Sequence, residues 1–386
     1  MLVFVSWYPP GFKGGGAMRA AVGVVKMLRD EFDFSIVTSD TDASERTPYL
    51  GIRSDAWNRL PDGTSVFYCS KSGLTMAALG RVMREVSPDV VFISGLFSYP
   101  FAALPLRLAR KLASRPRVLI APRGMLASGA LATKAIKKRA FIAVLRISGL
   151  FNGITWLAVS PQEADDVRAA IGEGVSVEVA MDLLRPGLKG FAARAKRPGE
   201  VRLCFLARIV RNKNLLEAIR FVKRVDPSCK VHLDIFGPAE DARYWRQCYL
   251  EMQQLPDHVS IEYGGAVEYE RIGEILALSH FLLLPTRFES FGYVIVESLA
   301  AGCPVIISDK TPWRDLRQRR IGWDLPLSKP EGFVRAIEEA AAMDGEAFRE
   351  WSEAAHSFFK EYLEDSTAQE THRSIFWSLI QEPRVG

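Results

Sequence analysis

Apolar and polar positions follow two alternating rhythms along the chain. Short apolar runs rich in β-branched residues predict buried strands, and stretches with apolar residues three and four positions apart predict helices. In the first half the strand-like runs are LVFVS (2–6), FSIVTSD (34–40), SVFYC (65–69), VVFIS (90–94), VLIAP (118–122) and WLAVS (156–160). Continuous apolar strands that alternate with helices are typical of a parallel sheet covered on both faces, so the pattern predicts a doubly wound α/β domain.

The rhythm breaks at residues 183–200, where proline, glycine and positive charges replace the apolar runs. We interpret 191–199 as a linker that separates an N-terminal domain, 1–190, from a second domain, 200–365. The strand pattern restarts there with VRLCFLA (201–207), KVHLDIFG (230–237), VSIEYGG (259–265), HFLLLPT (280–286) and PVIISD (304–309). The sequence therefore predicts two similar α/β domains, and a last helical segment, 366–386, that packs back on the first.

Charge is distributed unevenly although the net charge is only +5. Residues 1–198 carry 27 Lys and Arg against 16 Asp and Glu, whereas the rest carries 23 against 29. From Val90 to Gln162 there is no acidic residue. A domain with so strong a bias attracts anions such as nucleic acid, anionic lipid or a phosphorylated substrate.

Other sequence features narrow the class of protein. The five cysteines are scattered and none forms a CxxC pair, so we expect reduced thiols in cytosolic cores. The segment MLVFVSWYPPGF lacks a basic region and a cleavage site, and we interpret it as a first strand, not a signal peptide. No apolar run is long enough to span a bilayer. We expect a cytoplasmic protein.

Two glutamates, Glu289 and Glu297, flank an apolar stretch directly after the predicted strand HFLLLPT. Pro285 ends that strand, and a helix is predicted to begin near Gly292. Free N–H groups at a helix start suit a phosphate, while a carboxylate suits the vicinal hydroxyls of a ribose or a hexose. The combination predicts a site for a nucleotide sugar.

These residues resemble a known signature. Glu-x7-Glu around Phe-Gly, followed by AGCPVI, is similar to the signature of family 4 retaining glycosyltransferases of the GT-B fold. LARIVRNKN (206–214) resembles that family's Arg-x4-Lys stretch, and GFKGGG (11–16) its glycine-rich loop. APRGM (121–125) and TPWRDL (311–316) also resemble segments of bacterial members.

The resemblance implies two Rossmann-like domains facing across a cleft, with the donor held mainly by the second. It implies that Arg208 and Lys213 neutralise the donor diphosphate, that Glu297 binds the ribose, and that Glu289 lies beside the donor sugar as a catalytic residue. Val267 is expected near the base. The full set expected to bind the donor is Gly15, Gly16, Arg208, Lys213, Gly237, Val267, Glu289, Ser290, Phe291, Gly292 and Glu297.

The implied reaction needs no cofactor. Family 4 members retain the anomeric configuration, and the leaving phosphate is thought to help deprotonate the acceptor hydroxyl. Fixed cations and helix N–H groups can stabilise a leaving diphosphate without a metal, so no metal is expected to be required. Asp40 and Asp42 form the sole Asp-x-Asp of the sequence, and we interpret them as part of a turn.

The basic segment 131–151 concerns the acceptor. Lys134, Lys137 and Lys138 are predicted on one helical face, and an apolar stripe runs from Ile136 to Ile147. Such a helix can bind an anionic membrane, which would suit a lipid-linked glycan acceptor in cell-surface polysaccharide or lipopolysaccharide assembly. The alternative is that the apolar side belongs to the core. Arg123 is assigned either to anion binding at the acceptor site or to a structural ion pair.

Three other functions stay open at this stage. A GT-B nucleotide-sugar epimerase would use the same fold, but the first domain lacks the histidine expected of one: all five histidines lie between His232 and His372. A non-catalytic nucleotide-sugar-binding protein would keep the donor site alone. A nucleic-acid binder would fit the basic half, but no interleaving of aromatic and basic residues supports it, and nucleic acid is not an expected partner.

Overall fold

The computed structural model describes residues 1–132, 135–184, 191 and 194–381. The chain divides into two compact units, and each is described here by itself. Unit 1 comprises Met1–Arg185 together with Ser366–Gly386, and unit 2 comprises Pro186–Asp365. Both are α/β units.

Unit 1 is built on an eight-stranded sheet with the order β3-β4-β2-β1-β5-β6-β7-β8. All pairs are parallel except β3 with β4. The strands are β1 (Leu2–Val5), β2 (Ser35–Ser39), β3 (Ala56–Arg59), β4 (Ser65–Cys69), β5 (Val90–Ser94), β6 (Arg117–Ala121), β7 (Thr155–Ala158) and β8 (Ser176–Val179). The helices are α1 (Gly15–Leu28), α2 (Met76–Val86), α3 (Leu104–Ala109), α4 (Ser128–Ala132), α5 (Ala135–Ile147), α6 (Pro161–Ile171) and the C-terminal α13 (Thr367–Gln381), with a π-helical turn at Tyr99–Ala103.

Local sequence explains where the helices of unit 1 begin. The Thr75 hydroxyl accepts a hydrogen bond from the Ala78 N–H at 3.2 Å, and it thereby caps α2. The Ser160 hydroxyl caps α6 in the same way, and Pro161 occupies the first helical position, where its missing N–H costs nothing. The central strands β1 and β5 are buried along their whole length, as expected of strands covered on both faces.

Helix α13 packs on the core of unit 1, although it follows unit 2 in sequence. The ring of Phe376 contacts Phe32 and Phe92, with centroids 5.5 and 6.1 Å apart. Gln369 donates a hydrogen bond to the Met27 carbonyl at 3.0 Å. His372 lies on the buried face of this helix and has no exposed surface. Unit 1 therefore contains one histidine, His372, although all five histidines lie in the second half of the sequence.

Unit 2 is built on a fully parallel six-stranded sheet. Its strands are β9 (Glu200–Leu206), β10 (Lys230–Phe236), β11 (Val259–Tyr263), β12 (Phe281–Leu284), β13 (Val305–Ser308) and β14 (Gly322–Leu325). Its helices are α7 (Leu215–Lys223), α8 (Ala242–Met252), α9 (Tyr269–Leu278), α10 (Tyr293–Ala300), α11 (Pro330–Ala342) and α12 (Gly345–Glu364), with a short 3-10 helix at Arg211–Lys213.

The strand order of unit 2 is β11-β10-β9-β12-β13-β14. Numbered within the unit, this is the order 3-2-1-4-5-6 of a Rossmann sheet. The order reverses between β9 and β12, which are direct neighbours. The doubly wound α/β fold that the sequence predicts is confirmed in both units.

The end of the predicted linker is packed into unit 2 instead of bridging two domains. The Arg194 guanidinium donates to the carbonyls of Leu276 and Ala301, at 2.9 and 3.1 Å. The Lys196 ammonium donates to the carbonyls of Ala341 and Met343, each at 2.9 Å. The positive charges of Arg194 and Lys196 are thus hydrogen-bonded to backbone carbonyls of unit 2.

Two further observations concern the chain as a whole. All five cysteines are buried and free, in agreement with the expectation of reduced thiols. Among the residues described, no helix combines the length and the apolar character that crossing a bilayer requires.

Burial of His372 predicts a pH dependence of stability. The pKa of His372 is lowered to about 4, chiefly by burial and to a smaller extent by the positive charge of Arg123. Between that value and the ordinary histidine pKa of about 6.5, the unfolded chain binds a proton that the folded chain excludes, so stability falls as the pH falls. We expect wild type to lose about 2 kcal/mol more than His372→Gln between pH 7 and pH 5.

The measurement is urea unfolding of both proteins at the two pH values. His280 of unit 2, whose pKa burial also lowers to about 4, titrates equally in both proteins and cancels in the difference. Equal losses of stability in wild type and variant would contradict a buried neutral His372.

Candidate functional site

The neighbouring strands β9 and β12 mark the point of unit 2 at which the strand order reverses. In open α/β sheets, ligands bind outside the carboxyl ends of the strands at such a point. The loop after β9 runs through residues 207–214, and the loop after β12 through residues 285–292. Six of the predicted site residues therefore lie at the switch point: Arg208, Lys213, Glu289, Ser290, Phe291 and Gly292.

Side chains of the first loop fasten it to the second. The Asn212 amide donates to the Phe288 carbonyl at 2.9 Å, and the Thr286 hydroxyl donates to the Asn212 carbonyl at 3.1 Å. The Asn214 amide, which is buried, donates to the Pro285 carbonyl at 3.0 Å. Buried backbone carbonyls need such partners, and here the partners come from the neighbouring loop. The two loops therefore form one unit of structure.

Lys213 and Glu289 form an ion pair across the two loops. Their side chains are only 15% and 16% exposed, so the pair is largely withdrawn from water. The Glu289 N–H donates to the Lys310 carbonyl at 2.9 Å, which fixes the backbone beneath the carboxylate. In a partly desolvated pair of this kind each charge offsets part of the desolvation cost of the other, and the pair presents a cation and a carboxylate side by side.

The start of α10 lies next to this pair. Gly292 precedes the helix with a φ of 86°, a left-handed conformation that favours glycine, and no side chain caps the first turn. A Cβ at Gly292 would lie 3.1 Å from Glu289 Cγ, so the absence of a side chain leaves that carboxylate room. The uncapped N–H groups at the helix start, after Ser290 and Phe291, suit an anion.

Phe291 and Glu297 are the buried members of the predicted set. Phe291 is only 1% exposed, and its carbonyl accepts a hydrogen bond from the Trp313 indole N–H at 2.6 Å. The side chain of Glu297 is buried in the second turn of α10. Phe291 thus shapes the loop from within, and neither its ring nor its carbonyl is presented to solvent.

Arg208 and Gly237 lie at the carboxyl ends of β9 and β10. The Arg208 guanidinium is about half exposed and pairs with Glu240 at 3.0 Å. Gly237 adopts a φ of 137°, and a Cβ there would lie 1.9 Å from the Ala207 carbonyl oxygen. Glycine is therefore required for the close packing of two backbones, whether or not a ligand also approaches it.

The edge of the same surface is formed by the loop after β11. The Gly237 N–H donates to the Gly265 carbonyl at 2.7 Å, and the Tyr263 hydroxyl donates to the Gly237 carbonyl at 2.9 Å. Val267 lies in this loop and is half-buried. The loops after β9, β10 and β11 are thus connected through Gly237, and they place Val267 at the edge of the site.

Comparison with known proteins agrees with this geometry. Residues 189–358 match the family described as Glycosyl transferases group 1. Residues 189–358, which make up most of unit 2, are thus similar to a group 1 glycosyl transferase domain. The match confirms the resemblance to glycosyltransferases that the sequence motifs indicate.

Similar proteins are known by sequence and by structure. An uncharacterized glycosyltransferase of Methanocaldococcus jannaschii, MJ1607, is 23% identical over 177 residues, which are 45% of this chain and 44% of that protein. Sucrose-phosphate synthase from Thermosynechococcus elongatus has a TM-score of 0.74 at 15% identity, with 98% of both chains covered. Anabaena Alr3699/HepE, solved in complex with UDP-glucose, has a TM-score of 0.71 at 14% identity, covering 97% of this chain and 99% of that one. These likenesses confirm the predicted pair of Rossmann-like domains.

Four residues that organise the group 1 domain were not found from the sequence. Asn212 and Asn214 hold the two loops together, Thr286 completes that contact, and Trp313 supports Phe291 from behind. The RNKN segment drew notice for its lysine, yet the two asparagines beside it form the bonds. A signal was available, since asparagine tolerates the left-handed conformation that Asn214 adopts with a φ of 63°.

In unit 1, the glycine-rich loop is anchored by an aspartate. The N–H groups of Phe12 and Lys13 donate to the buried Asp42 carboxylate at 2.9 and 3.2 Å. Gly15, with a φ of 69°, and Gly16 form the first residues of α1. Asp42, interpreted from the sequence as part of a turn, thus holds the loop that precedes the helix.

The basic residues predicted in unit 1 differ in their surroundings. Arg123 is buried and pairs with Asp182, which favours the structural alternative for this residue. Lys138 turns inward, where its ammonium donates to the Ala130 carbonyl at 2.6 Å and lies 5.0 Å from the Phe97 ring centroid. Lys137 is exposed, and Lys134 lies outside the described residues. Lys137 and Lys138 therefore do not share one exposed face.

Loss of Asn214 is predicted to destabilise the group 1 domain. Asn214→Ala leaves the buried Pro285 carbonyl without a donor. It also puts an alanine at a positive φ, which alanine tolerates less well than asparagine does. We expect the free energy of unfolding of unit 2 to fall by about 3 kcal/mol. Asn214→Gly removes the backbone strain alone and should recover about 1 kcal/mol of that loss. Urea unfolding of the three proteins measures both numbers, and an alanine variant as stable as wild type would contradict the contact.

Proposed function

We propose that this protein is a retaining glycosyltransferase that transfers a hexose from a UDP- or GDP-linked sugar to a glycan acceptor. The observation that carries the proposal is the Lys213–Glu289 pair, set at the switch point of unit 2 beside the uncapped start of α10. A cation, a carboxylate and the N–H groups of a helix start are what a donor with a diphosphate and a sugar requires at adjacent positions. The group 1 family match supports the same class of reaction.

The diphosphate is proposed to bind to Lys213, Arg208 and the N–H groups at the start of α10. Both cations are paired with carboxylates in the described structure, Lys213 with Glu289 and Arg208 with Glu240. A diphosphate carries more charge than either carboxylate, and it can therefore replace them as the partner. As negative charge develops on the leaving diphosphate, these fixed donors stabilise it, so the reaction as proposed needs no metal.

Glu289 is proposed to bind the donor sugar once Lys213 turns to the phosphate. Its backbone is held by Lys310, so the carboxylate stays beside the helix start while its partner changes. There it can accept hydrogen bonds from sugar hydroxyls and stabilise positive charge at the anomeric carbon. The leaving phosphate oxygen takes the proton of the incoming acceptor hydroxyl on the same face, which gives retention.

The nucleoside is proposed to lie along the loops at the edge of the sheet. The Glu297 carboxylate is expected to accept hydrogen bonds from both hydroxyls of the ribose. Val267 and Gly237 are expected to border the base. Anabaena HepE is described in complex with UDP-glucose, and UDP-sugars are accordingly the first donors to test.

The acceptor is proposed to be lipid-linked and bound through unit 1. Helix α5 buries Ile142 and Leu145, whereas Ile136, Val144 and Ile147 are 86%, 64% and 84% exposed. The apolar stripe predicted for this helix therefore faces solvent. The exposed basic residues of the same helix are Lys137, Arg139 and Arg146. An exposed apolar stripe with basic neighbours suits an anionic membrane surface, where a polysaccharide or lipopolysaccharide precursor would be found. We accordingly propose a cytoplasmic protein that binds peripherally to the inner face of the membrane.

Binding of nucleoside diphosphates tests the donor site. Lys213→Met should weaken the binding of UDP or GDP by at least about tenfold, because one charge-assisted hydrogen bond to the phosphates is lost. Lys223→Met is the matched control, since Lys223 also pairs with a glutamate and is 19% exposed. Calorimetric titration of wild type and both variants measures the affinities.

Turnover separates the enzyme from a mere binding protein. A panel of labelled UDP- and GDP-sugars should give sugar transfer to a lipid-linked glycan with retained anomeric configuration, and Glu289→Gln should bind the donor without transferring it.

Unchanged diphosphate affinity in Lys213→Met would remove that residue from the site. Failure of every donor to bind would overturn the proposal as a whole.

Vesicle binding tests the membrane surface. Ile136→Ser/Ile147→Ser should lower binding to vesicles with an anionic lipid fraction by more than about tenfold, since burial of each side chain contributes on the order of 1–2 kcal/mol. The control is Leu50→Ser, because Leu50 is 97% exposed at a different place in unit 1. Co-sedimentation gives the bound fraction, and equal binding of all three proteins would contradict the assignment to α5.

A further inference from the structure

Two carboxylates lie directly opposite each other on one face of the unit 2 sheet, on the edge strand β11 and its neighbour β10. In the register of β10 with the edge strand β11, Asp234 pairs with Glu262, and His232 pairs with Ser260. Residues two apart on a strand point to the same face, so all four side chains share one face of the sheet. Like charges directly opposite each other on paired strands are destabilising. This arrangement therefore needs a positive partner.

Arg202 of β9 supplies part of that charge. Its Nε donates to Asp234 Oδ2 at 2.7 Å. The other oxygen, Asp234 Oδ1, lies 3.0 Å from His232 Nε2. Within the residues that the structure describes, one nitrogen of His232 and one oxygen each of Asp234 and Glu262 lie within 4.8 Å of one another. Three potential ligand atoms thus lie close together, and Arg202 contacts the other oxygen of Asp234.

Hydrogen bonds with neighbouring side chains orient these groups. His232 Nδ1 lies 2.7 Å from the Ser260 hydroxyl. Without a metal, Nε2–H can donate to Asp234 Oδ1; with a metal at Nε2, the ring proton resides on Nδ1, which then donates to the Ser260 hydroxyl. Metal-binding histidines and carboxylates are commonly oriented by such outer hydrogen bonds. Ser260 plays that part for His232, and Arg202 plays it for Asp234.

We propose that His232, Asp234 and Glu262 bind one divalent transition-metal ion, with zinc as the ion this donor set favours. One imidazole and two carboxylates are ligands that Zn²⁺ accepts at about 2.0–2.2 Å, with water at the fourth position. Asp234 is nearly buried and fixed, whereas Glu262 is exposed and can rotate inward. The ligands lie within β10 and β11, so the ion would join the edge strand to its neighbour. The loop that carries Val267 follows that edge strand, and the ion would hold it in place.

Zinc binding by the full-length chain tests the proposal. After removal of metal with a chelator, equilibrium dialysis should show one equivalent of Zn²⁺ per chain, and Zn²⁺ should raise the melting temperature. His232→Gln and Glu262→Gln should each lower the affinity by more than about tenfold, and Ser260→Ala by about tenfold through loss of the outer hydrogen bond. Binding of Co²⁺ should produce a visible absorption that both ligand variants lose.

Matched controls lie in the same unit. His258, whose Nε2 lies 3.2 Å from the Val225 carbonyl, and the exposed Glu274 are outside the cluster. His258→Gln and Glu274→Gln should keep the affinity of wild type, and circular dichroism should show that every variant is folded. The proposal is overturned if the chain binds no stoichiometric Zn²⁺, or if the His232 and Glu262 variants bind it as tightly as the controls do. Neither result depends on donor binding or transfer.

Discussion

The candidate site of unit 2 depends on the fastening of two loops at the point where the strand order reverses. Sheet topology brings the ends of β9 and β12 side by side, but it does not fix the loops that follow them. The amides of Asn212 and Asn214 do so, because they satisfy carbonyls of the opposite loop. Without these bonds, Lys213 and Glu289 would sit on independent segments, and an ordering cost would accompany every binding event. With them, the charged pair is part of the folded domain.

Support from behind makes the same loop rigid on its other side. The Trp313 indole holds the Phe291 carbonyl, and the Lys310 carbonyl holds the Glu289 N–H. The segment TPWRDL, noted in the sequence only for its resemblance, thus acts as a brace for the start of α10. Groups that stabilise developing charge are most effective when they are fixed before the reaction, since they then need no reorganisation. Arg208 differs from these residues: it is half exposed and depends on Glu240 alone for its position.

The sequence predicted the fold better than it predicted the contacts. Buried strands such as VVFIS and FLLL can be recognised in the sequence because nearly every residue is apolar. The Glu-x7-Glu spacing likewise predicted two acids near the start of a helix. Short strands did not: β8 has mostly exposed side chains, and β3 pairs antiparallel at an edge, so neither shows a clear apolar run. The apolar stripe of α5 had two interpretations, and only the exposure of Ile136, Val144 and Ile147 in the structure argues against the one that assigns it to the core. The sequence predicted that the last helix packs back on the first domain, but it could not show that His372 would be fully buried there.

Burial alone does not identify a functional cation, and the positively charged residues of this protein show what does. Lys196 is as buried as any lysine described, and burial lowers its pKa to about 8, yet its ammonium is fully engaged by backbone carbonyls. Arg194 is likewise held by backbone carbonyls, which cannot leave. Lys213 and Arg208 are paired instead with single glutamate side chains, which can rotate away when a more highly charged anion arrives. An exchangeable partner, and not the degree of burial, separates a binding cation from a structural one, and at the switch point both Lys213 and Arg208 have such a partner.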